Sequence, residues 1–288
     1  MYKVLKNELI GENIYELDVY APLVVNKCLP GQFVIVMAYE TSERIPLTIY
    51  DYDRDLGILK MIYQVVGAST WELVDLDCEL FSVVGPLGNP SELVMNIDEW
   101  KNKNIIFVAG GVGIAPVYPQ IKYLKEHNVN VDCIYGVKNA KYLILEEKIK
   151  NMCDNFYIAT DDGSKGYHGM VTDCLKSLDN HYDKCVAIGP VIMMKYVSML
   201  TRDMKIPTIV SMNPIMVDGT GMCGACRLIV DGEVKFACVD GPEFDGHKVD
   251  FDAAIKRMRI YKTFEGKKYL ERCEGDTHHG NCGNCGDK

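Results

Sequence analysis

The residues most able to do chemistry lie in one stretch, VDGTGMCGACRLIVDGEVKFACVDGP. Cys223, Cys226 and Cys238 follow the spacing C-x2-C-x11-C, with glycines before and between them. Thiolates bind soft and borderline metals, and glycine lets backbone N–H groups come close to the sulfurs of a compact inorganic cluster. The plant-type [2Fe–2S] loop is spaced C-x4-C-x2-C with a distant fourth cysteine. Here the position five residues ahead of Cys223 holds Asp218, so the motif reads D-x4-C-x2-C-x11-C. A carboxylate is a harder ligand than a thiolate, but it can complete a four-donor set. The pattern points to a [2Fe–2S] cluster held by Asp218, Cys223, Cys226 and Cys238. The competing readings are a zinc ribbon, which normally shows two matched cysteine pairs, and three ordinary buried cysteines.

Two other motifs could meet phosphate. IYQVVGASTWEL places Gly67, Ser69 and Thr70 just before a predicted helix. Small residues and hydroxyls at a helix start can make an anion site, and equally a plain helix cap. VAGGVGIAP puts Gly110, Gly111 and Gly113 between a predicted strand and a helix. It is not the G-x-G-x-x-G fingerprint, yet glycines there permit the same close approach to a dinucleotide. The alternative is a tight strand–helix turn. TDDGS (160–164) and IGP (188–190) also follow predicted strands, at the edge where open α/β sheets bind ligands.

The elements that must carry these motifs follow from periodicity. Residues 1–97 alternate apolar and polar in short runs broken by turn residues, which predicts an all-β unit, a closed barrel or a sandwich. Residues 98–213 change to apolar strands such as NIIFVAGG separated by helical stretches, the mark of a parallel α/β sheet. Residues 214–246 form a Gly-, Cys- and Asp-rich segment with two short strand-like pieces. Residues 247–288 read as a helix and then a polar tail. The expected fold class is β plus α/β.

Composition excludes some functions. The chain has 288 residues and a net charge of −9, which argues against a general nucleic-acid binder, since that needs a basic face to displace counterions, and disfavours an anionic membrane surface. No run of about 18 apolar residues occurs, and the N-terminus lacks a basic end followed by an apolar stretch, so the expected location is the cytoplasm. Of the twelve cysteines, Cys28, Cys78, Cys133, Cys153, Cys174 and Cys185 are scattered singly, as small buried hydrophobes would be.

These pieces arrive in a familiar order: a barrel with RIPLTIYD and GAST, then AGGVGIAP, YGVKN, TDDGSKGYHG and IGP, then the cluster loop. Over roughly residues 1–246 this resembles the ferredoxin-NADP reductase superfamily. Within it, the chain is most similar to the branch of electron-transfer subunits found in dihydroorotate dehydrogenase and in NADH-dependent reduced ferredoxin:NADP oxidoreductases. The resemblance implies an N-terminal antiparallel β-barrel FAD domain, a parallel α/β nucleotide domain and a small [2Fe–2S] domain. It places the flavin ring against Pro46, Leu47 and Thr48, lined by Tyr63 and Gln64, with the pyrophosphate at Gly67, Ser69 and Thr70. Gly110, Gly111, Gly113 and Asp162 would meet NAD(H) as substrate. The family's flavin-phosphate arginine lies three residues before the Ser or Thr. Ile45 stands there in this chain, with Arg44 one step away. A one-residue slip in a strand reverses the face. Arg44 is the candidate if a bulge restores it; otherwise another cation serves.

The resemblance further implies hydride exchange between nicotinamide and FAD, then single-electron transfer through the cluster. It also implies a larger NADPH-binding partner subunit carrying FAD and [4Fe–4S], ferredoxin as a redox partner of the complex, and electron bifurcation. The alternatives are the electron-transfer subunit of a dihydroorotate dehydrogenase and a non-catalytic redox sensor or scaffold. Lys138 and Lys141 against the acids of TDDGS decide weakly between nucleotides; the branch favours NADH. His127, His168, His181 and His247 read as surface or packing residues. Cys273, His278, His279, Cys282 and Cys285 form a tail that either binds metal or is plain chain end. The basic stretch from Lys256 to Lys268 is a solvated helix face or a docking site for an acidic partner.

Overall fold

A computed structural model describes residues 1–275. His278, His279, Cys282 and Cys285 of the tail motif lie outside the described residues, as does the side chain of Cys273.

The N-terminal sheet has seven strands: β1 (Tyr2–Gly11), β2 (Ile14–Tyr20), β3 (Phe33–Met37), β4 (Ile45–Asp53), β5 (Ile58–Gln64), β6 (Glu79–Leu80) and β7 (Ser82–Leu87). Helices α1 (Pro22–Val25) and α2 (Ala68–Val74) sit in its connections. The order is β6-β1-β2-β5-β4-β3-β7, antiparallel throughout. β6 and β7 lie on opposite edges, yet only Phe81 separates them in the chain. The sheet must therefore curl until its edges meet, which makes it barrel-like. Strand alternation then sorts the side chains. Val34 and Val36 of β3 fill the barrel core with Leu59, Met61 and Tyr63 of β5. Phe33 and Ile35 face outward into a different core.

The second sheet is built from β8 (Asn104–Gly110), β9 (Asn130–Val137), β10 (Asn155–Thr160), β11 (Tyr167–His168), β12 (Lys184–Ile188) and β13 (Thr208–Ser211). Helices α3 (Glu92–Met95), α4 (Ile114–Glu126), α5 (Glu146–Lys150), α6 (Val171–Lys176) and α7 (Val191–Asp203) precede or connect these strands. The order is β11-β10-β9-β8-β12-β13, all parallel. β8 is buried on both faces, which is why it reads as a continuous apolar run rather than an alternating one. Ile105, Phe107 and Ala109 pack with Ile114, Val117 and Ile121 of α4. Ile106 and Val108 pack on the other side with Leu175 of α6 and Met194 and Val197 of α7. The chain leaves β8 towards β9 and later returns to β12 on the opposite side. The crevice at the C-terminal ends of β8 and β12 is thus the topological switch point.

The remaining described residues form a hairpin, β14 (Arg227–Val230) and β15 (Glu233–Phe236), a short strand β16 (Glu243–Asp245), and helices α8 (Phe251–Met258) and α9 (Lys262–Gly275). Asp231 and Gly232 both take positive φ at the hairpin turn, the Asp-Gly geometry that matches strand twist. This segment is not a free-standing appendage. β16 adds antiparallel to β13 at the edge of the parallel sheet. Leu228, Val230 and Phe251 share one core with Phe33 and Ile35 of the barrel and Met194 of α7. Among the described residues no helix is long and apolar enough to cross a membrane.

Candidate functional site

The four candidate cluster ligands separate by depth. Cys226 and Cys238 are buried with their sulfurs 3.3 Å apart, while Cys223 is exposed. Asp218 Oδ2 accepts the Thr220 N–H at 2.9 Å, the Thr220 hydroxyl and the Met222 N–H at 3.4 Å. These bonds favour the ionised carboxylate and hold its pKa below the usual range. The Cys223 thiol is also lowered, chiefly by the Ala225 N–H directed at its sulfur. Burial raises Cys238, and the adjacent Cys226 raises it further. A metal would reverse that, since ligation displaces the thiol proton.

Among the described residues no three His, Cys, Asp or Glu side chains converge to hold a single metal ion. A [2Fe–2S] centre asks for less, because each iron takes two protein donors beside the bridging sulfides. One buried sulfur pair, with one exposed carboxylate and thiol on the same loop, fits that demand. It does not fit a four-donor zinc site converging on one point.

The loop is seated against the barrel. Gly219 has φ +84, and a Cβ there would lie 2.7 Å from Leu87 Cδ1 and 2.8 Å from Ile35 Cδ1. Only glycine supplies both that conformation and that clearance. Ile35 pairs with Pro46, and Phe33 with Thr48. Cross-strand partners share a face. Pro46 and Thr48 therefore lie on the outer face where the cluster loop rests, whereas Leu47 pairs with inward Val34 and packs on the barrel core.

Arg44 lies at the start of this arrangement. Its Nε donates to the Val217 carbonyl at 2.6 Å and its Nη2 to the Asp218 carbonyl at 3.3 Å. The sequence suggested a flavin-phosphate contact for Arg44; the structure commits two of its donor nitrogens to the cluster loop.

Tyr63 also departs from expectation. It is 2% exposed, stacks on Tyr15 with ring centroids 5.6 Å apart and donates its hydroxyl to Asn7 Oδ1 at 3.0 Å. Alternation places Tyr63 inside the barrel, so it cannot line an outer-face flavin together with its neighbour. Gln64 is the outward, half-buried residue of the two. Near α2, the Thr70 hydroxyl accepts the Val66 and Gly67 N–H groups at 3.0 and 3.1 Å. Ser69 donates to Glu43 Oε2 at 2.9 Å. Thr70 thus closes the turn ahead of α2, no side chain accepts the first N–H groups of the helix itself, and a pyrophosphate would have to compete for these hydroxyls. Gly67 itself faces open space.

At the switch point the backbones nearly touch. A Cβ on Gly113 would sit 2.3 Å from the Ile188 carbonyl oxygen, and one on Gly189 would sit 2.9 Å from Gly110 Cα. Gly111, at φ +55, meets nothing within 4 Å. No side chain caps the Gly111–Gly113 turn or α4, while the Ile114 N–H that opens the helix already bonds back to the Gly111 carbonyl. The Gly111–Gly113 turn lies beside β5, so nucleotide edge and barrel border the same groove. Asp162 is exposed on the neighbouring loop. Its Oδ1 accepts the Ser164 N–H at 2.9 Å, and this bonding to Ser164 keeps its pKa below the ordinary carboxylate value.

Comparison with known proteins places this arrangement. Residues 213–250 match the iron–sulfur cluster binding domain of dihydroorotate dehydrogenase B, and residues 107–199 match the oxidoreductase NAD-binding domain. The dihydroorotate dehydrogenase B electron-transfer subunit of Clostridium acetobutylicum is 32% identical over 86% of this chain and 95% of its own. The chain belongs to the dihydroorotate dehydrogenase B electron-transfer subunit family. A Thermotoga maritima homologue of that subunit is 44% identical, covering 93% of this chain and 94% of its own. A solved structure of an NADH-dependent reduced ferredoxin-NADP oxidoreductase, a subject of work on flavin-based electron bifurcation, contains a chain with 42% identity. Its TM-score is 0.87, covering 95% of this chain and 98% of that one. The electron-transfer subunit family thus supplies the nicotinamide, flavin and iron–sulfur setting that these residues fit.

Proposed function

We propose that this chain is the electron-transfer subunit of a ferredoxin:NADP oxidoreductase complex, passing electrons between NAD(H), FAD and a [2Fe–2S] cluster. One observation carries the reading. The loop bearing Asp218, Cys223, Cys226 and Cys238 is seated on the outer face of β3, beside the strand that presents Pro46 and Thr48. The groups supply, when bound, two-electron exchange with a nicotinamide at the flavin and one-electron transfer at the cluster. The protein's part is placement. Gly110, Gly111 and Gly113 let a dinucleotide approach the switch point, and the uncapped turn ahead of α4 receives its phosphate. Pro46, Thr48 and Gln64 present a flat face to a flavin ring. Asp218 and the three cysteines hold the cluster at the rim, with Asp218 and Cys223 towards solvent.

As part of a larger complex, the chain needs a contact surface near that rim. Val217, Met222 and Val239 are exposed around the loop, Met222 at 88%, and Ile260 and Tyr261 are exposed in the turn between α8 and α9, with Phe264 exposed on α9. We assign this surface to a larger subunit carrying its own FAD and [4Fe–4S] centres, through which NADPH and ferredoxin enter. The relatives named as dihydroorotate dehydrogenase B subunits keep a second reading in view, with a dihydroorotate-oxidising partner on the same surface.

The test is anaerobic co-purification followed by iron, sulfide and flavin analysis. The expected result is about 2 irons and 2 sulfides for this subunit, beyond those of the partner, and bleaching of the flavin by NADH. The identity of the co-purifying subunit decides between the two complexes. Asp218→Ala protein with the wild-type iron content and spectrum would remove Asp218 from the ligand set.

A further inference from the structure

The β3–β4 loop, residues 38–44, is fastened along α2 at both ends. The Tyr39 N–H donates to Ser42 Oγ at 2.9 Å, and the Tyr39 hydroxyl donates to the Asp75 carbonyl, at the C-terminal end of α2, at 3.2 Å. At the N-terminal end of α2, Ser69 donates to Glu43 at 2.9 Å. The next residue is Arg44, whose guanidinium reaches two consecutive carbonyls, Val217 at 2.6 Å and Asp218 at 3.3 Å, more than 170 positions away in sequence. The planar fork of arginine suits two adjacent acceptors, whereas an ammonium satisfies one at a time. Asp218 is also the residue whose carboxylate is the candidate oxygen ligand. Arg44 therefore holds the peptide from which that ligand projects, and holds it to the end of the strand carrying Pro46 and Thr48.

We propose that Arg44 is a positioning residue for the cluster: it pins the Val217–Asp218 backbone to the flavin-bearing strand and sets a permanent positive charge beside the oxygen-ligated iron. The proposal rests on the reading above, that this loop holds the cluster. Two consequences follow. A fixed cation nearby favours the state with one more electron, so Arg44 raises the reduction potential of the cluster. A pinned backbone also slows exchange of the Asp218 carboxylate from iron.

Full-length wild type, Arg44→Gln and Arg44→Lys, each purified anaerobically with the partner subunit, separate the possibilities. Arg44→Gln should keep its flavin content and melting temperature. Its reduced-cluster electron paramagnetic resonance signal should shift, its midpoint potential should move negative, and it should lose iron to a chelator about tenfold faster. Arg44→Lys should stay near the wild-type potential and lose iron at an intermediate rate. Identical resonance, potential and iron loss in Arg44→Gln and wild type would overturn the proposal. So would loss of flavin from Arg44→Gln with an unaltered cluster, which would return the guanidinium to the flavin phosphate. Should Arg44→Gln fail to fold, Arg44→Lys decides: iron loss at the wild-type rate would show that the fork is not needed. An iron-free wild type would fail the functional reading itself, and is told apart from these outcomes because it precedes any substitution.

Discussion

At the scale of single residues, the outcome turns on which face of a strand a side chain occupies. Tyr63 and Gln64 are neighbours in sequence and both were candidates for the flavin, but successive strand residues point to opposite sides. Tyr63 is inside, with its hydroxyl on Asn7 and its ring on Tyr15. Tyr63→Phe should cost about 1 kcal/mol, the net worth of one hydrogen bond, and leave flavin content unchanged. Denaturant melts and the flavin absorbance per chain check this; loss of flavin would place Tyr63 at the site after all. Asp218 shows the complementary case. Its carboxylate is held ionised by the turn it closes with Thr220 and Met222, so it is ready to serve as a donor at neutral pH.

At the scale of elements, the strand–turn–helix unit from β8 to α4 depends on glycine for two separate reasons. Gly113 is needed for space, because a methyl group would meet the Ile188 carbonyl. Gly111 is needed for conformation, because its surroundings are open while its φ is positive. Gly111→Ala should therefore cost about 1–2 kcal/mol, from backbone strain alone. Gly113→Ala should cost about 1–3 kcal/mol, force β12 and α4 apart and weaken NADH binding as well. Melting curves paired with an NADH titration test this. Gly113→Ala binding NADH like wild type would mean that the close approach of β12 and α4 does not shape the nucleotide site.

At the scale of the whole molecule, the units are joined by buried polar contacts as well as by apolar cores. Ser91, in the connection out of the barrel, bonds Gln120 of α4 at 3.1 Å. Gln120 donates to Glu243 Oε1 of β16 at 2.9 Å, and Glu243 Oε2 accepts the Glu92 N–H at 3.3 Å. Ser91 and Gln120 are fully buried, and burial raises the Glu243 pKa against the lowering effect of these hydrogen bonds. A carboxyl whose folded pKa is raised is harder to ionise in the fold than in the unfolded chain. Its charge therefore costs stability above the folded pKa, and the cost disappears as pH falls below the ordinary glutamate value of about 4.3. Glu243→Gln removes the charge and keeps the acceptor for Gln120, but turns its NH2 group towards the Glu92 N–H and so loses that contact at every pH. Relative to wild type it should therefore gain stability as pH rises from about 4 to about 8, on top of that constant loss. A constant difference across that range would show that the Glu243 charge is not what separates the two proteins.

Much of this was legible in the amino acids because it is local. The spacing of Asp218, Cys223, Cys226 and Cys238, the apolar run of β8 and the glycines after it are set by neighbours a few positions apart, and each carries a period or spacing that names its element. The same holds for the change from alternating strands to a parallel α/β pattern near residue 100. What the sequence could not contain is contact between distant segments. The grip of Arg44 on Val217 and Asp218, the seat of Gly219 on Ile35 and Leu87, and the addition of β16 to β13 each join parts of the chain that no local pattern relates. Which of Tyr63 and Gln64 faces outward also depended on the curl of the sheet, which defines inside and outside only once β6 and β7 are brought together. Residue chemistry determined which groups this protein could hold; the closure of the chain decided how near to one another they are held.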